Sequence, residues 1–264
     1  MLTYTTLLQP AKLSEAYEAY SSRKGSVLFG GGCWLRLGRR PLPAIIDLSG
    51  LGLRYIREWD DEIIIGAMTT LRDIELSPVL QTFAGGILTE GVRAILGSQF
   101  RACATIGGSV AAKFGFSDIL PILLTLNTDV DLYEAGRISL ADYLACPRMR
   151  ELVVNIIIAK EDIVVARRAL RNSSGDFPYL TGAVSLTDKK IWKIAVGARP
   201  MVAKLATKTS AVLTEKGIAV KDTVALMAQE ELNFQTNSHA SKEYRRDMTT
   251  VMVRRMIEEV WACK

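Results

Sequence analysis

Histidine is almost absent from this chain: His239 stands alone among 264 residues. A Ser-His-Asp or Cys-His catalytic group would have to rest on that one residue, so side-chain acid–base and nucleophilic chemistry have few candidates. If the chain takes part in a reaction, a bound cofactor carries the chemistry. Cysteine is nearly as scarce, with Cys33, Cys103, Cys146 and Cys263 far apart and no C-x-x-C. That spacing excludes a zinc site or an iron–sulfur cluster built within this chain and reads as four reduced thiols. Long apolar runs are missing too. The greasiest uncharged stretches, such as residues 119–127, fall well short of the roughly 20 residues that span a bilayer. Residues 1–10 lack the basic segment and apolar block of a secretory leader, so a cytoplasmic protein with no membrane span is expected. With 20 glycines and 8 prolines, collagen-like and low-complexity readings drop out.

What is present is the composition of a protein with a sizeable core: 49% hydrophobic and 23% charged residues. The length suits one large domain or two small ones. The net charge of +5 is compatible with nucleic acid, an anionic cofactor or an acidic partner subunit. Basic residues pair locally at Arg39-Arg40, Arg167-Arg168, Lys189-Lys190, Arg245-Arg246 and Arg254-Arg255. No aromatic-interleaved basic block and no nucleic-acid module motif accompany them, so nucleic-acid binding is not expected.

Hydrophobic periodicity predicts helices over residues 11–22, 71–77, 83–95, 119–126 and 140–144. Ser117 or Asp118 caps the fourth of these and Ser139 the fifth. Strands are predicted over Val27–Phe29 and residues 44–48, 129–134 and 151–158. A hairpin over residues 53–59 and Glu62–Gly66 turns at Asp60-Asp61. The last hundred residues read as a hairpin over 181–186 and 190–196, followed by helices near 201–215, 221–232 and 241–263. On the last helix, Glu258 and Glu259 stand four residues after Arg254 and Arg255, a pairing distance, whereas Arg245 and Arg246 lack such partners. The fold class is therefore α+β.

Two glycine segments stand out. The first is Phe29-Gly30-Gly31-Gly32-Cys33-Trp34-Leu35, directly after a strand. Its N–H groups can turn inward to form a nest for phosphate oxygens, or the segment is simply a flexible turn. The second is Thr105-Ile106-Gly107-Gly108-Ser109, with Ser117-Asp118 shortly after. Asp118 could accept from a ribose or ribityl hydroxyl, cap the following helix, or do both. Leu35 occupies the third glycine position of G-x-G-x-x-G, and no Gly-Lys-Ser/Thr is present, so both common phosphate-binding motifs fail.

The run Arg101-Ala102-Cys103-Ala104-Thr105-Ile106-Gly107-Gly108-Ser109-Val110-Ala111, with Ser117-Asp118-Ile119-Leu120-Pro121 after it, resembles the FAD-binding medium subunits of molybdenum hydroxylases. These are the flavoprotein chains of the xanthine dehydrogenase and carbon monoxide dehydrogenase family. The family pattern is R-N-x-A-T-I-G-G-N-x-A, then S-D-x-x-P-x-L-L-A-L. Residues 29–35 look like its A-G-G-T-D/N-L loop, and Ser241-Lys242-Glu243-Tyr244-Arg245-Arg246 is similar to its S-x-x-Y-R-R signature. The resemblance covers nearly the whole chain.

The resemblance implies a two-subdomain FAD-binding fold of the PCMH type over residues 1–160, with a break near 50–60. A smaller domain of antiparallel sheet plus helices over 161–264 would follow. It also implies FAD in this chain, with molybdopterin on a large partner subunit and [2Fe-2S] clusters on a small one. Electrons would pass from the clusters through FAD to NAD+ or another acceptor, as in an oxidoreductase of xanthine dehydrogenase type. Carried over residue by residue, Leu28, Phe29, Gly30, Gly31, Gly32, Cys33, Trp34 and Leu35 would hold the pyrophosphate. Thr105, Gly107, Gly108 and Ser109 form the second loop, and Ile95 and Val153 are apolar neighbours of the cofactor. Asp118 takes the polar contact to FAD. Arg168 stands where the family often has a lysine, with Arg171 completing that frame. The usual threonine of the first loop is replaced by Cys33 or Gly32, and the usual asparagine after Gly107-Gly108 by Ser109. An alternative implied by those departures is a non-redox assembly subunit that keeps the fold and has lost FAD. Catalytic side chains and metal ligands are not expected in this chain.

Overall fold

The computed structural model describes residues 2–146 and 150–263. The chain divides into two compact units. The first comprises Met1–Ile74, Gly97–Ala112 and Asp129–Ile158, and the second Glu75–Leu96, Lys113–Thr128 and Ala159–Lys264. Helix and sheet are mixed in both, an α+β architecture.

In the first unit, the strand Leu42–Asp47 lies between Tyr4–Leu8 and Val27–Phe29, parallel to both, with Leu8 opposite Ile46 and Phe29 opposite Asp47. The helix Leu13–Ser22 covers this sheet because Leu13, Ala16, Tyr17 and Tyr20 share a face. They pack with Ile46 and Leu48, and with Leu152 from later in the chain. A second sheet has the order Ile56–Glu58, Glu62–Gly66, Val153–Ala159, Thr128–Leu132, Gly136–Ser139. The predicted hairpin at Asp60-Asp61 forms, with Ile56 opposite Ile65. Thr128–Leu132 alternates buried and half-buried residues, as a sheet with one covered face requires.

In the second unit, four antiparallel strands run in the order Lys204–Leu205, Trp192–Gly197, Leu180–Thr187, Ile163–Leu170. Leu180–Thr187 is buried along its whole length. The long helix Lys242–Ala262 lies on one side, with the Met252 and Met256 methyls beside Gly182. The helix Leu120–Thr125 also packs against this strand, and every one of its residues is buried. Small residues make room for helices, and the hydroxyls they bring are used: Thr181 donates to the Ser117 carbonyl at 3.3 Å and Ser185 to the Thr125 carbonyl at 3.1 Å. Val253, Met256, Ile257 and Val260 of the long helix close the core over Val184, Leu186 and Ile194. Each such side chain contributes about 1.5–3 kcal/mol by leaving water.

Several local expectations change. Residues 201–206 are not helical, because Lys204–Leu205 pairs with Ala195 and Val196 and the helix begins at Thr207. On the long helix, the ion pairs form with residues outside it, although Arg254 still helps Lys221 to lower the Glu258 carboxyl. Arg254 faces Asp222 at 3.8 Å, Glu258 takes Lys221 at 2.5 Å, and Arg246 pairs with Glu230. Helices Pro78–Thr82, Ser98–Cys103 and Ile106–Ala111, and strands Tyr4–Leu8, Gly136–Ser139 and Ile163–Leu170, were not anticipated from the sequence. Among the described residues, no helix is long and apolar enough to cross a membrane.

Candidate functional site

The two glycine segments meet in the first unit. Val27–Phe29 delivers the chain to Gly30-Gly31-Gly32, which bends away into a short turn over Leu35–Leu37. Gly31 lies so close to the Cys103 carbonyl that a Cβ would overlap that oxygen. A Cβ on Gly30 would come within 2.7 Å of Thr105 Oγ1. Alongside them, Trp34 packs edge-on against Phe100, with ring centroids 6.0 Å apart. Cys33 is buried, its Sγ 3.9 Å from the Gly31 carbonyl and 4.0 Å from that of Phe100. Leu28, Phe29 and Leu35 are half-buried.

The two loops differ in what their backbones offer. In the second, the amides of residues 106–109 are all engaged. Ile106 N–H donates to the Thr69 carbonyl and Gly107 N–H to that of Ala67, both at 2.9 Å. Gly108 N–H donates to Thr105 Oγ1 at 3.2 Å, and Ser109 N–H to the Thr105 carbonyl at 3.0 Å. The Ser109 hydroxyl also turns back to the Thr105 carbonyl at 2.9 Å. Thr105 is thus the N-cap of Ile106–Ala111. Gly107 has no room for a side chain, since a Cβ would lie 2.6 Å from that of Ala67. Val153 is buried, and the carbonyl of the next residue, Val154, accepts the Ala67 N–H at 2.9 Å. In the first loop, by contrast, the N–H groups of Gly31 and Gly32 find no acceptor among the described residues. The first loop therefore presents donors, and the second is a rigid wall behind it.

Ile95, Asp118 and Arg168 belong to the second unit. Asp118 is buried and paired with Arg171, which also donates to the Ala94 carbonyl at 3.1 Å and to that of Asp176 at 3.3 Å. One guanidinium thus gathers Asp118, the segment ending at half-buried Ile95, and the loop before Phe177. Burial pushes the Asp118 carboxyl up to about 6, against the pull of Arg171 and Arg167. The N-cap position of Leu120–Thr125 is Ile119, but the Ser117 Oγ accepts the Leu120 N–H at 3.2 Å, leaving Asp118 to the ion pair. Arg168 lies elsewhere. It pairs with Glu259 of the long helix, while its strand neighbour Arg167 reaches Glu90 at 2.8 Å.

The sequence reading passed over an aromatic cluster in this unit. Phe114 stacks on Phe116 with centroids 4.9 Å apart, and Phe116 meets Phe177 at the same separation. Its only linear signal is the Phe-Gly-Phe spacing, because Phe177 is sixty residues away. Among the described residues, no group of three His, Cys, Asp or Glu could hold a metal ion.

Residues 3–161 match the family described as "FAD binding domain in molybdopterin dehydrogenase". Residues 166–260 match the one described as "CO dehydrogenase flavoprotein C-terminal domain". The Uncharacterized protein YgfM of Escherichia coli (strain K12) is 31% identical over 235 residues, 86% of this chain and 85% of that protein. The Nicotine 6-hydroxylase medium subunit of Paenarthrobacter nicotinovorans is 27% identical over 276 residues, 96% of each chain. Among solved structures, a chain of carbon monoxide dehydrogenase from Hydrogenophaga pseudoflava superposes with a TM-score of 0.89 at 22% identity, covering 99% of both chains. A chain of quinoline 2-oxidoreductase from Pseudomonas putida 86 gives 0.84 at 20% identity, covering 98% of this chain and 96% of that one.

Proposed function

Because the chain belongs to the family of FAD-binding flavoprotein subunits of molybdopterin dehydrogenases, we propose that it relays electrons through FAD within a multi-subunit oxidoreductase. The FAD-binding region is residues 1–160 and the C-terminal domain 161–264. The free Gly31 and Gly32 N–H groups carry this reading. Two adjacent donors in a bend with no side chains suit the oxygens of a pyrophosphate. Leu28, Phe29, Gly30, Cys33, Trp34 and Leu35 frame that bend, and Thr105, Gly107, Gly108 and Ser109 back it. Val153 buttresses the wall through the Ala67 turn, whereas Ile95, Asp118 and Arg168, which the family resemblance also assigns to the cofactor, lie in the second unit. Within the second unit, Phe116 and Phe177 offer an aromatic surface of the kind that suits a flat ring system.

When bound, FAD supplies both one- and two-electron chemistry, so the chain need offer no general base. Its residues bind and orient. A partner chain with [2Fe-2S] clusters feeds electrons in, and a molybdopterin chain oxidises the substrate. NAD+ or another acceptor takes the electrons, as in xanthine dehydrogenase.

Calorimetric titration of the purified chain tests the cofactor. FAD should bind, ADP should compete because it carries the same pyrophosphate, and FMN, which lacks it, should bind far more weakly. A second reading, an assembly subunit without flavin, is favoured by Cys33 where the family has a hydroxyl and by the engagement of Asp118 with Arg171. Absence of FAD binding at any concentration would decide for it.

A further inference from the structure

Two of the four cysteines sit at the contact between the glycine loops. Cys33 is buried in the first loop, against the Phe100 carbonyl. Phe100 belongs to the helix Ser98–Cys103, and its carbonyl also accepts the Ala104 N–H at 2.8 Å, so it lies in that helix's last turn. Cys103 ends the helix, its side chain exposed and its carbonyl against Gly31, two residues before Cys33. Burial raises the Cys33 thiol, the neighbouring Cys103 raises it further, and the positive charge of Arg36 opposes both. The Cys33 thiol thus feels the charge of Cys103, and of the two Cys33 is shielded and Cys103 open to solvent.

We propose that Cys33 and Cys103 form a redox pair, closed to a disulfide by a hydroperoxide and reopened by a dithiol. Cys103 reacts first, because peroxide reaches it. Its thiolate attacks the distal oxygen, the O–O bond breaks, and an alcohol (water, from hydrogen peroxide) leaves as Cys103 becomes a sulfenic acid. Cys33, deprotonated as it attacks, displaces hydroxide from that sulfur, which leaves as water. Two thiols and one hydroperoxide thus give one disulfide, one alcohol and one water. Gly31, two residues before Cys33, abuts the Cys103 carbonyl, and the Cys33 sulfur faces the Phe100 carbonyl in the last turn of the helix that Cys103 ends, so the two residues are neighbours in space. Closing the bond requires their Cα atoms to come to roughly 4.4–6.8 Å. The bond would tie the donor loop to its wall. Three consecutive glycines give that loop much freedom to lose on binding a ligand, and the tie removes part of that loss in advance. Oxidation then slows FAD release. This last step rests on the FAD reading above, whereas the bond itself does not.

The test treats the full chain with hydrogen peroxide, then digests it with trypsin under non-reducing conditions. Residues 25–36 and 102–113 should appear as one joined peptide, lighter than their sum by two hydrogens, with two of the four thiols lost. Dithiothreitol should release it, and neither Cys33→Ser nor Cys103→Ser should form it. FAD should leave the oxidised chain several-fold more slowly than the reduced one, with no such difference in either variant. Oxidation that yields sulfinic acids, or joins Cys103 to Cys146 or Cys263 instead, overturns the pair. A joined peptide with unchanged FAD release overturns its link to the cofactor. If the reduced chain binds no FAD, the flavin reading falls while the joined peptide still decides the bond.

Discussion

Asp118 and Arg171 are paired with 7% and 12% of their side chains exposed, and the carboxyl is nonetheless pushed up to about 6. Burial outweighs the arginine. An acid whose folded pKa lies above its unfolded value favours the folded state while protonated. Its contribution is full below about pH 4 and is lost as pH rises through about 6. Asp118→Asn cannot titrate, so the parent should lose on the order of 2–3 kcal/mol relative to this variant between pH 4 and pH 7. Urea unfolding across that range measures the difference, in which the other carboxylates cancel. Parallel curves would show that Asp118 titrates normally.

Removing the cation should be worse than removing the charge it faces. Arg171→Gln leaves the buried carboxyl without its hydrogen-bonded cation, with only the pull of Arg167 remaining, an arrangement that costs about 3–5 kcal/mol. The double variant Asp118→Asn with Arg171→Gln should recover most of that loss. A double variant as unstable as Arg171→Gln alone would mean that the Ala94 and Asp176 carbonyls, not the ion pair, are what Arg171 serves.

The glycine loops make a different point. A carboxylate at Gly31 or Gly107 could be expected to repel phosphate. The packing predicts a defect that needs neither charge nor phosphate. Gly107→Ala pushes a methyl group into Ala67, and Gly31→Ala pushes one into the Cys103 carbonyl. Each should cost on the order of 1–3 kcal/mol whether or not FAD is present. Gly175→Ala, where a Cβ meets nothing within 4 Å, should stay within about 0.5 kcal/mol of the parent. Thermal melts of the three variants compare them directly; equal melting temperatures would mean the loops yield freely.

These loops also mark what could be read in advance. Their glycines, the Thr105 hydroxyl and the Ser139 cap are visible as residues. The hairpin at Asp60-Asp61 is visible because alternation stops at a turn signal. What could not be read is the division of labour between the loops, since it depends on Thr69 and Ala67 supplying carbonyls to the second one. The helix Ile106–Ala111 was hidden because Gly107 and Gly108 have poor helix propensity, which tertiary contact overrides. Ile163–Leu170 was hidden by its adjacent arginines, which point to opposite faces and find Glu90 and Glu259. The same limit applies to the long helix, where local spacing suggested pairs within the helix and packing supplied Asp222, Lys221 and Glu230 from outside it.

Arg245 carries that lesson furthest. Local spacing gives it no acidic partner four residues on. It is instead fully buried in the second unit. Its guanidinium donates to the carbonyls of Tyr179, Gln235 and Ala240 at 2.8, 2.7 and 2.5 Å, and to Asn237 Oδ1 at 2.6 Å. The cation thus pins the segment that leads into its own helix. Burial lowers its pKa, as it lowers that of Arg199, which falls to about 10 and binds the Asn233 and Val202 carbonyls. Arg245→Ala should take its donor from the Tyr179 and Gln235 carbonyls, leave Ala240 and Asn237 only their local bonds, and open a cavity, costing on the order of 3–5 kcal/mol. Arg245→Lys should recover only part, because one ammonium cannot span acceptors spread around a planar fork. Arg246→Ala, next door, loses only a half-exposed pair with Glu230 and should cost about 0–1 kcal/mol. Urea unfolding followed by fluorescence, to which buried Trp192 contributes, ranks the three variants. If Arg245→Ala proves no less stable than Arg246→Ala, the segment over 235–240 is held by something other than this guanidinium.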